Sequence, residues 1–251
     1  MSSAAGTSKE FYNKSHQMRF LSIDTSTKYS VAVIIKGERI IFGESRLYEK
    51  GRLDGLDLLI HDALKKSRLE VADLDGFGIG IGPGSFTGLR IGVSTIKGLS
   101  YCLDKPVYGF SSLDAICYSA LKVDFSKLCV LVDARRSNVY CRMYKKARNI
   151  ERLTEDRLLP FENLLDSCDK NTVFCGDGAE VYEREIVNRF GKERILSQKF
   201  WFPTPESITT LTLEYCKKKD SKDSFELSAR YLYGQDCQVA SVCGKQSPGV
   251  R

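Results

Sequence analysis

Between Gly76 and Leu103 a strand, a glycine turn and a glycine-spotted helix follow one another without interruption, and no other stretch restricts the fold as much. Gly76 to Ile81 alternates Gly with Phe77, Ile79 and Ile81, the pattern of a buried strand that another backbone approaches closely. The turn is Gly82-Pro83-Gly84. Beyond it Leu89, Val93, Ile96, Leu99 and Leu103 recur at helical spacing and belong in a core, while Gly88, Gly92 and Thr95 form a second stripe with little side-chain bulk. Each glycine in a helix interior costs roughly 0.5–1 kcal/mol relative to alanine, so Gly88, Gly92 and Gly98 call for an offsetting contact. Another backbone lying along the small stripe supplies one, from the helix's own domain or from a partner.

A glycine turn feeding a helix N-terminus is also where a nucleotide phosphate would bind. Neither nucleotide spacing fits, and an anion at the Gly84/Ser85 helix start stays open. A P-loop needs glycine again at the sixth position, where counting from Gly82 or Gly84 gives Thr87 or Leu89; the dinucleotide pattern started from Gly80 ends on Ser85.

The segments before and after this stretch read as two copies of one plan. Strands at 18–24, 29–36 and 39–45 form a meander, a helix over 52–67 carries Leu53, Leu56, Ile60 and Leu64 on one stripe, and the strand at 76–81 follows. After the glycine-spotted helix come a strand at 106–110 and a helix at 112–121. A second set begins with Leu128-Cys-Val-Leu-Val-Asp133, returns over 138–144, and continues with a third strand at 149–158, a helix at 161–167, a strand at 172–175 and helices at 179–190 and 206–218. Asp24 and Asp133 each end a first apolar strand before a short polar turn, so the chain is internally duplicated: an α/β, actin-like (ASKHA, RNase H-like) two-domain fold. The expected boundaries are an extension at 1–17, an N-terminal domain at 18–122, a C-terminal domain at 123–239 and a flexible tail at 240–251.

Composition narrows the function. The 251 residues suffice for two ordinary cores, and no apolar run approaches the roughly 18 residues of a membrane span, so a cytoplasmic protein is expected. Nine cysteines without a C-x-x-C pair read as reduced core residues. Two histidines, His16 and His61, do not make a metal or triad site, so no metal, cofactor or catalytic residue is expected. In an actin-like ATPase the two strand-end carboxylates face metal and phosphate; here the second turn carries Arg135 and Arg136, and Asp24 and Asp133 read as a degenerate cleft. The formal charge of +6 permits a nucleic-acid partner, and Arg135, Arg136, Arg142, Lys145 and Lys146 on one hairpin are the candidate contact with tRNA or an acidic partner.

With Gly82-Pro-Gly-Ser-Phe-Thr-Gly-Leu-Arg-Ile-Gly92, Ile23-Asp24-Thr25-Ser26, Asp133-Ala134-Arg135 with Val139-Tyr140, Gly176-Asp-Gly178 and Tyr231-Leu232 in order, the chain from Met18 to about Val239 resembles the TsaB (YeaZ) family. That resemblance implies a non-catalytic subunit that binds TsaD through N-terminal-domain helices. With TsaE it would support formation of N6-threonylcarbamoyladenosine at position 37 of tRNAs reading ANN codons. The implied interface takes Leu56, Ile60, Gly88, Leu89, Gly92, Val93, Thr95, Ile96 and Leu99, and the isolated chain could pair with itself over the same face as a homodimer. The sequence departs from the family pattern at Arg52, Leu53, Leu58, Asn138 and Tyr233. The alternative is an enzyme on the same fold, a small-molecule kinase or ATPase or a metalloprotease-like hydrolase.

Overall fold

A computed structural model describes residues 17–47 and 55–233. The first half contains β1 (Arg19–Asp24), β2 (Tyr29–Lys36), β3 (Arg39–Leu47), α1 (Gly55–Ser67), β4 (Gly76–Gly80), α2 (Phe86–Leu103), β5 (Val107–Phe110) and α3 (Ser112–Ser119). The second contains β6 (Lys127–Arg135), β7 (Asn138–Lys146), β8 (Ile150–Arg152), β9 (Arg157–Pro160), α4 (Phe161–Asp166), β10 (Thr172–Cys175), α5 (Gly178–Val181), α6 (Glu183–Phe190) and α7 (Pro205–Lys217).

Each half builds its own sheet. The first has the order β3-β2-β1-β4-β5, antiparallel through the meander and parallel from β1 to β4 to β5. In the second, β10 runs parallel to β6, β6 antiparallel to β7, and β7 pairs with both β8 and β9. The counterpart of β5 has shrunk to one parallel bridge between Phe174 and Ile195. This repeat of hairpin, third strand, helix and parallel strand is the duplicated actin-like plan.

Both faces of the first sheet are covered, which is why its central strands are apolar nearly throughout. Leu21, Ile23, Phe77 and Ile79 pack with Leu59, Val93 and Ile96 of α1 and α2, while Phe20, Val31 and Phe110 pack on the opposite face with Ile208 and Leu211 of α7. Thus α7, which follows the second set of strands in the chain, returns to the first sheet. The boundary at residue 122 separates the strands but not the helices. Pro205 at the first helical position and reciprocal Thr204–Ser207 capping bonds fix where α7 starts. Beyond it Lys222 bridges to Val107, Leu227 enters the core, and the Arg230 amide donates to the Ile81 carbonyl.

Two elements differ from expectation. The third strand at 149–158 is two short strands, because Thr154 turns its hydroxyl in to accept the Met143 amide and Asp156 buries its carboxylate, which breaks the ladder between them. The helix at 179–190 is interrupted at Tyr182, whose φ of −113° and ψ of 25° are not helical. The expected helix start, with Arg52 and Leu53, lies outside the described residues, as do 1–16, the tail at 240–251 and the end of the second domain beyond 233.

Candidate functional site

The β1 strand ends at Asp24, which is fully buried. Its Oδ1 accepts from the Ser26 amide at 2.8 Å and the Ser26 hydroxyl at 2.6 Å, and its Oδ2 from the Ser112 hydroxyl at 2.7 Å. Ser112 in turn accepts the Gly82 amide at 3.1 Å. A Cβ on Gly80 would sit 1.8 Å from Asp24 Oδ2, so the alternating glycines of β4 make room for this carboxyl. Burial raises the Asp24 carboxyl above its ordinary value, against the lowering effect of the three hydrogen bonds. The group ties the β1–β2 turn to the start of α3 and presents no oxygen to solvent.

Asp133, its counterpart at the end of β6, accepts the Arg135 amide at 2.9 Å and pairs with the Arg135 guanidinium at 3.1 Å. Its own amide donates to Asp177 Oδ1 at 3.2 Å, and burial, with the nearby Asp133 charge adding, raises the Asp177 carboxyl. Arg135, Arg136 and Ser137 all have positive φ, 69°, 51° and 58°, in a left-handed turn that holds the two arginines out in solvent. Among the described residues no group of three or more His, Cys, Asp or Glu could hold a metal ion.

The glycine stripe of α2 faces inward. A Cβ at Gly88 would lie 2.0 Å from the Thr25 carbonyl oxygen and one at Gly92 2.3 Å from Thr25 Oγ1, so both glycines admit the β1–β2 turn of the same chain. The Thr25 hydroxyl bonds the Gly88 carbonyl at 2.8 Å. Leu56, Ile60, Leu89, Val93 and Ile96 are likewise buried, while Thr95 and Leu99 are partly exposed. The expected interface therefore needs correction: within this chain most of its residues are core. The sequence could show that the stripes existed; it could not show which one the chain covers itself.

Another face is bare. Thr87, Ile91, Ser94 and Gly98, at i, i+4, i+7 and i+11, are exposed on one side of α2, with Arg90 and Tyr101 along its edge. Among the described residues a Cβ at Gly98 would meet nothing within 4 Å beyond its own helix backbone. On α1, Leu58, His61 and Lys65 are exposed, and the N-terminal ends of both helices line one small cavity through Gly55, Leu56, Ser85, Thr87, Gly88 and Ile91.

The basic hairpin also requires correction. Arg142 is 4% exposed; its guanidinium meets Asp114 Oδ1 at 2.9 Å, Asp156 Oδ1 at 3.0 Å and Glu155 Oε2 at 3.2 Å. Asp114 also binds Arg152 at 2.8 Å and the Tyr144 hydroxyl at 2.9 Å, and Asp156 takes Arg230 and the Ser111 hydroxyl. This buried network joins α3 of the first half to β7 and the β8–β9 turn of the second. Lys146 donates to the carbonyls of Leu121 and Val123 at 2.8 and 2.7 Å. Arg135, Arg136 and Lys145 remain exposed. Sequence reasoning missed Asp114 and Asp156, whose only signal was a carboxylate inside an otherwise apolar helix and an acidic pair flanked by arginines.

Residues 50–216 match the family model for TsaD, described as tRNA N6-adenosine threonylcarbamoyltransferase. The tRNA threonylcarbamoyladenosine biosynthesis protein TsaB of Bacillus subtilis (strain 168) is 27% identical over 221 residues, covering 86% of this chain and 94% of that protein. TsaB of Escherichia coli (strain K12) is 29% identical over 133 residues, 53% of this chain and 57% of that protein. Among solved structures, YeaZ from Pseudomonas aeruginosa superposes with a TM-score of 0.71 at 21% identity, covering 86% of this chain and all of that one. An uncharacterized protein from the same organism, with similarity to peptidase YeaZ, gives 0.74 at 20% identity over the same shares. Both share the two-sheet fold.

Proposed function

This chain belongs to the TsaB (YeaZ) family, and on that premise we propose that it is a non-catalytic subunit that binds a TsaD threonylcarbamoyltransferase. With TsaE it would support formation of N6-threonylcarbamoyladenosine at position 37 of tRNAs reading ANN codons. The observation that carries the reading is Gly98. It is an exposed helix-interior glycine, and among the described residues no atom beyond its own helix backbone would lie within 4 Å of a Cβ there, so those residues do not offset its helical cost of roughly 0.5–1 kcal/mol. A partner helix lying over Thr87, Ile91, Ser94 and Gly98 would use the low profile for close approach, with Leu58 of α1 adding apolar contact at the side. The sealed Asp24 carboxyl favours a structural over a metal-binding role for the cleft.

The test uses the purified chain and its TsaD. Gly98→Leu and Ile91→Arg should each leave the melting temperature of the isolated chain close to wild type and reduce TsaD co-purification and tRNA modification at least about tenfold, equivalent to about 1.4 kcal/mol of binding. Unchanged complex formation in both variants would sink the reading. Leu89→Arg is uninformative here, because Leu89 is buried and the change would unfold the helix from its core. The same two variants decide whether an isolated homodimer uses this face. Tight binding of Mg-ATP by the isolated chain, abolished by Asp24→Ala, would favour an enzyme instead. Any tRNA contact within the assembly falls to Arg135, Arg136 and Lys145, and charge reversal there should reduce modification while leaving TsaD binding intact.

A further inference from the structure

One face of the second sheet is wider than the helix that covers it. On the side of β7 away from β6, β9 pairs over 138–141 and β8 over 144–146, and Met143 falls in the gap between them. Because strand side chains alternate, Cys141 and Met143 share a face with Leu159 and with Arg157, the β9 partner of Cys141. The helix over that face, α4, has six residues and is therefore only about 9 Å long. Its Leu164 packs into the same core, and a cavity of about 220 Å3 remains, lined by Leu164, Cys141, Met143, Leu159 and Leu153. The polar groups of the lining are already partnered, with one exception. The Thr154 hydroxyl accepts the Met143 amide at 3.1 Å, the Thr172 hydroxyl donates to Asp169 at 3.1 Å, the Ser167 hydroxyl donates to the Asn163 carbonyl at 3.2 Å, and Lys127 pairs with Asp169. The exception is Arg157, which lines the cavity, is exposed at its rim, and meets no carboxylate of the described residues.

We propose that this cavity binds a small carboxylic acid, with its hydrocarbon part against Cys141, Met143 and Leu164 and its carboxylate on the Arg157 guanidinium at the rim. Size limits the ligand: the 220 Å3 equals the liquid volume of about seven waters, so the acid is short, of the order of hexanoate. Apolar walls with a single unengaged polar group select an apolar body with one polar head. The sign of that head follows from the guanidinium, whose planar fork matches a carboxylate through two parallel N–H bonds. An alcohol of the same length forfeits the charged contact, and an amine brings a like charge to Arg157. Every lining residue lies between 127 and 172, so the site belongs to the second half alone and is independent of the open face of α2.

Met143 supplies the readout, since the chain holds three methionines and Met143→Leu identifies its signal. The full-length chain, isotope-labelled in its methionine methyl groups, is titrated with sodium hexanoate at neutral pH and followed by NMR. The Met143 methyl signal should shift and saturate in the millimolar range. Arg157→Gln, a change at an exposed side chain, should leave the melting temperature close to wild type and weaken hexanoate binding about two- to fivefold, the range of an exposed ion pair. Hexanol should bind the wild-type chain more weakly than hexanoate by a similar factor, and hexylamine more weakly still. The comparison of hexanoate with hexanol needs no variant to fold. A Met143 signal unmoved by hexanoate would overturn the proposal, as would equal affinity for hexanoate and hexanol or undiminished hexanoate binding in Arg157→Gln.

Discussion

At Asp24 the carboxyl that ends β1 is an internal brace. Three hydrogen bonds hold it, and its position requires Gly80 to have no side chain. Gly80→Ala should therefore destabilise the chain by about 1–3 kcal/mol, the usual cost of overpacking, as a lower urea midpoint with an unchanged slope. The raised carboxyl of Asp24 also has a pH signature. A carboxyl raised on folding binds more protons when folded than unfolded, so its contribution is most favourable at low pH. That contribution declines as pH rises from the ordinary carboxylate range through the folded value. Asp24→Asn has no such proton, so relative to wild type the variant should improve steadily on going from acid to neutral pH. Parallel stability curves for the two proteins would contradict this assignment.

At the scale of an element, α2 carries glycines for two opposite reasons. Gly88 and Gly92 are filled from within by Thr25, whereas Gly98 is open. Alanine at Gly92 meets Thr25 Oγ1 and should destabilise the isolated chain; alanine at Gly98 meets nothing and should stabilise it by about 0.5–1 kcal/mol. Thermal unfolding of the two variants side by side measures the difference, and the same sign for both would contradict the assigned faces. Much of this helix was legible in the sequence. Leu89, Val93 and Ile96 enter the core as their spacing requires, and in the structure Ser85 caps the helix start by accepting the Gly88 amide. The misassigned stripe has a physical cause: helical periodicity tells which residues share a face, and Gly88/Gly92 and Ile91/Gly98 satisfy the pattern of a close contact equally well.

Across the whole molecule, the two halves are joined by buried charge. Arg142 lies between Asp114 of the first half and Asp156 of the β8–β9 turn, with Arg152 and Arg230 completing the set. Arg142→Ala leaves two buried carboxylates short of a partner and should cost about 3–5 kcal/mol in urea unfolding. Arg230→Ala removes only the half-exposed cation from buried Asp156, which keeps Arg142 and the Ser111 hydroxyl, and should cost less than Arg142→Ala. The sequence by itself determined what is local or repeated: the strands, the glycine turn, the duplicated plan and the failure of the phosphate spacing. These depend on residues within a few positions of one another. Only the tertiary structure decided that α7 returns to the first sheet, that Arg142 is internal and that Gly98 rather than Gly92 is open. Each of those outcomes depends on a neighbour distant in the chain, Thr212 against Ser22 or Asp114 against Arg142, and burial depends on which distant neighbours arrive.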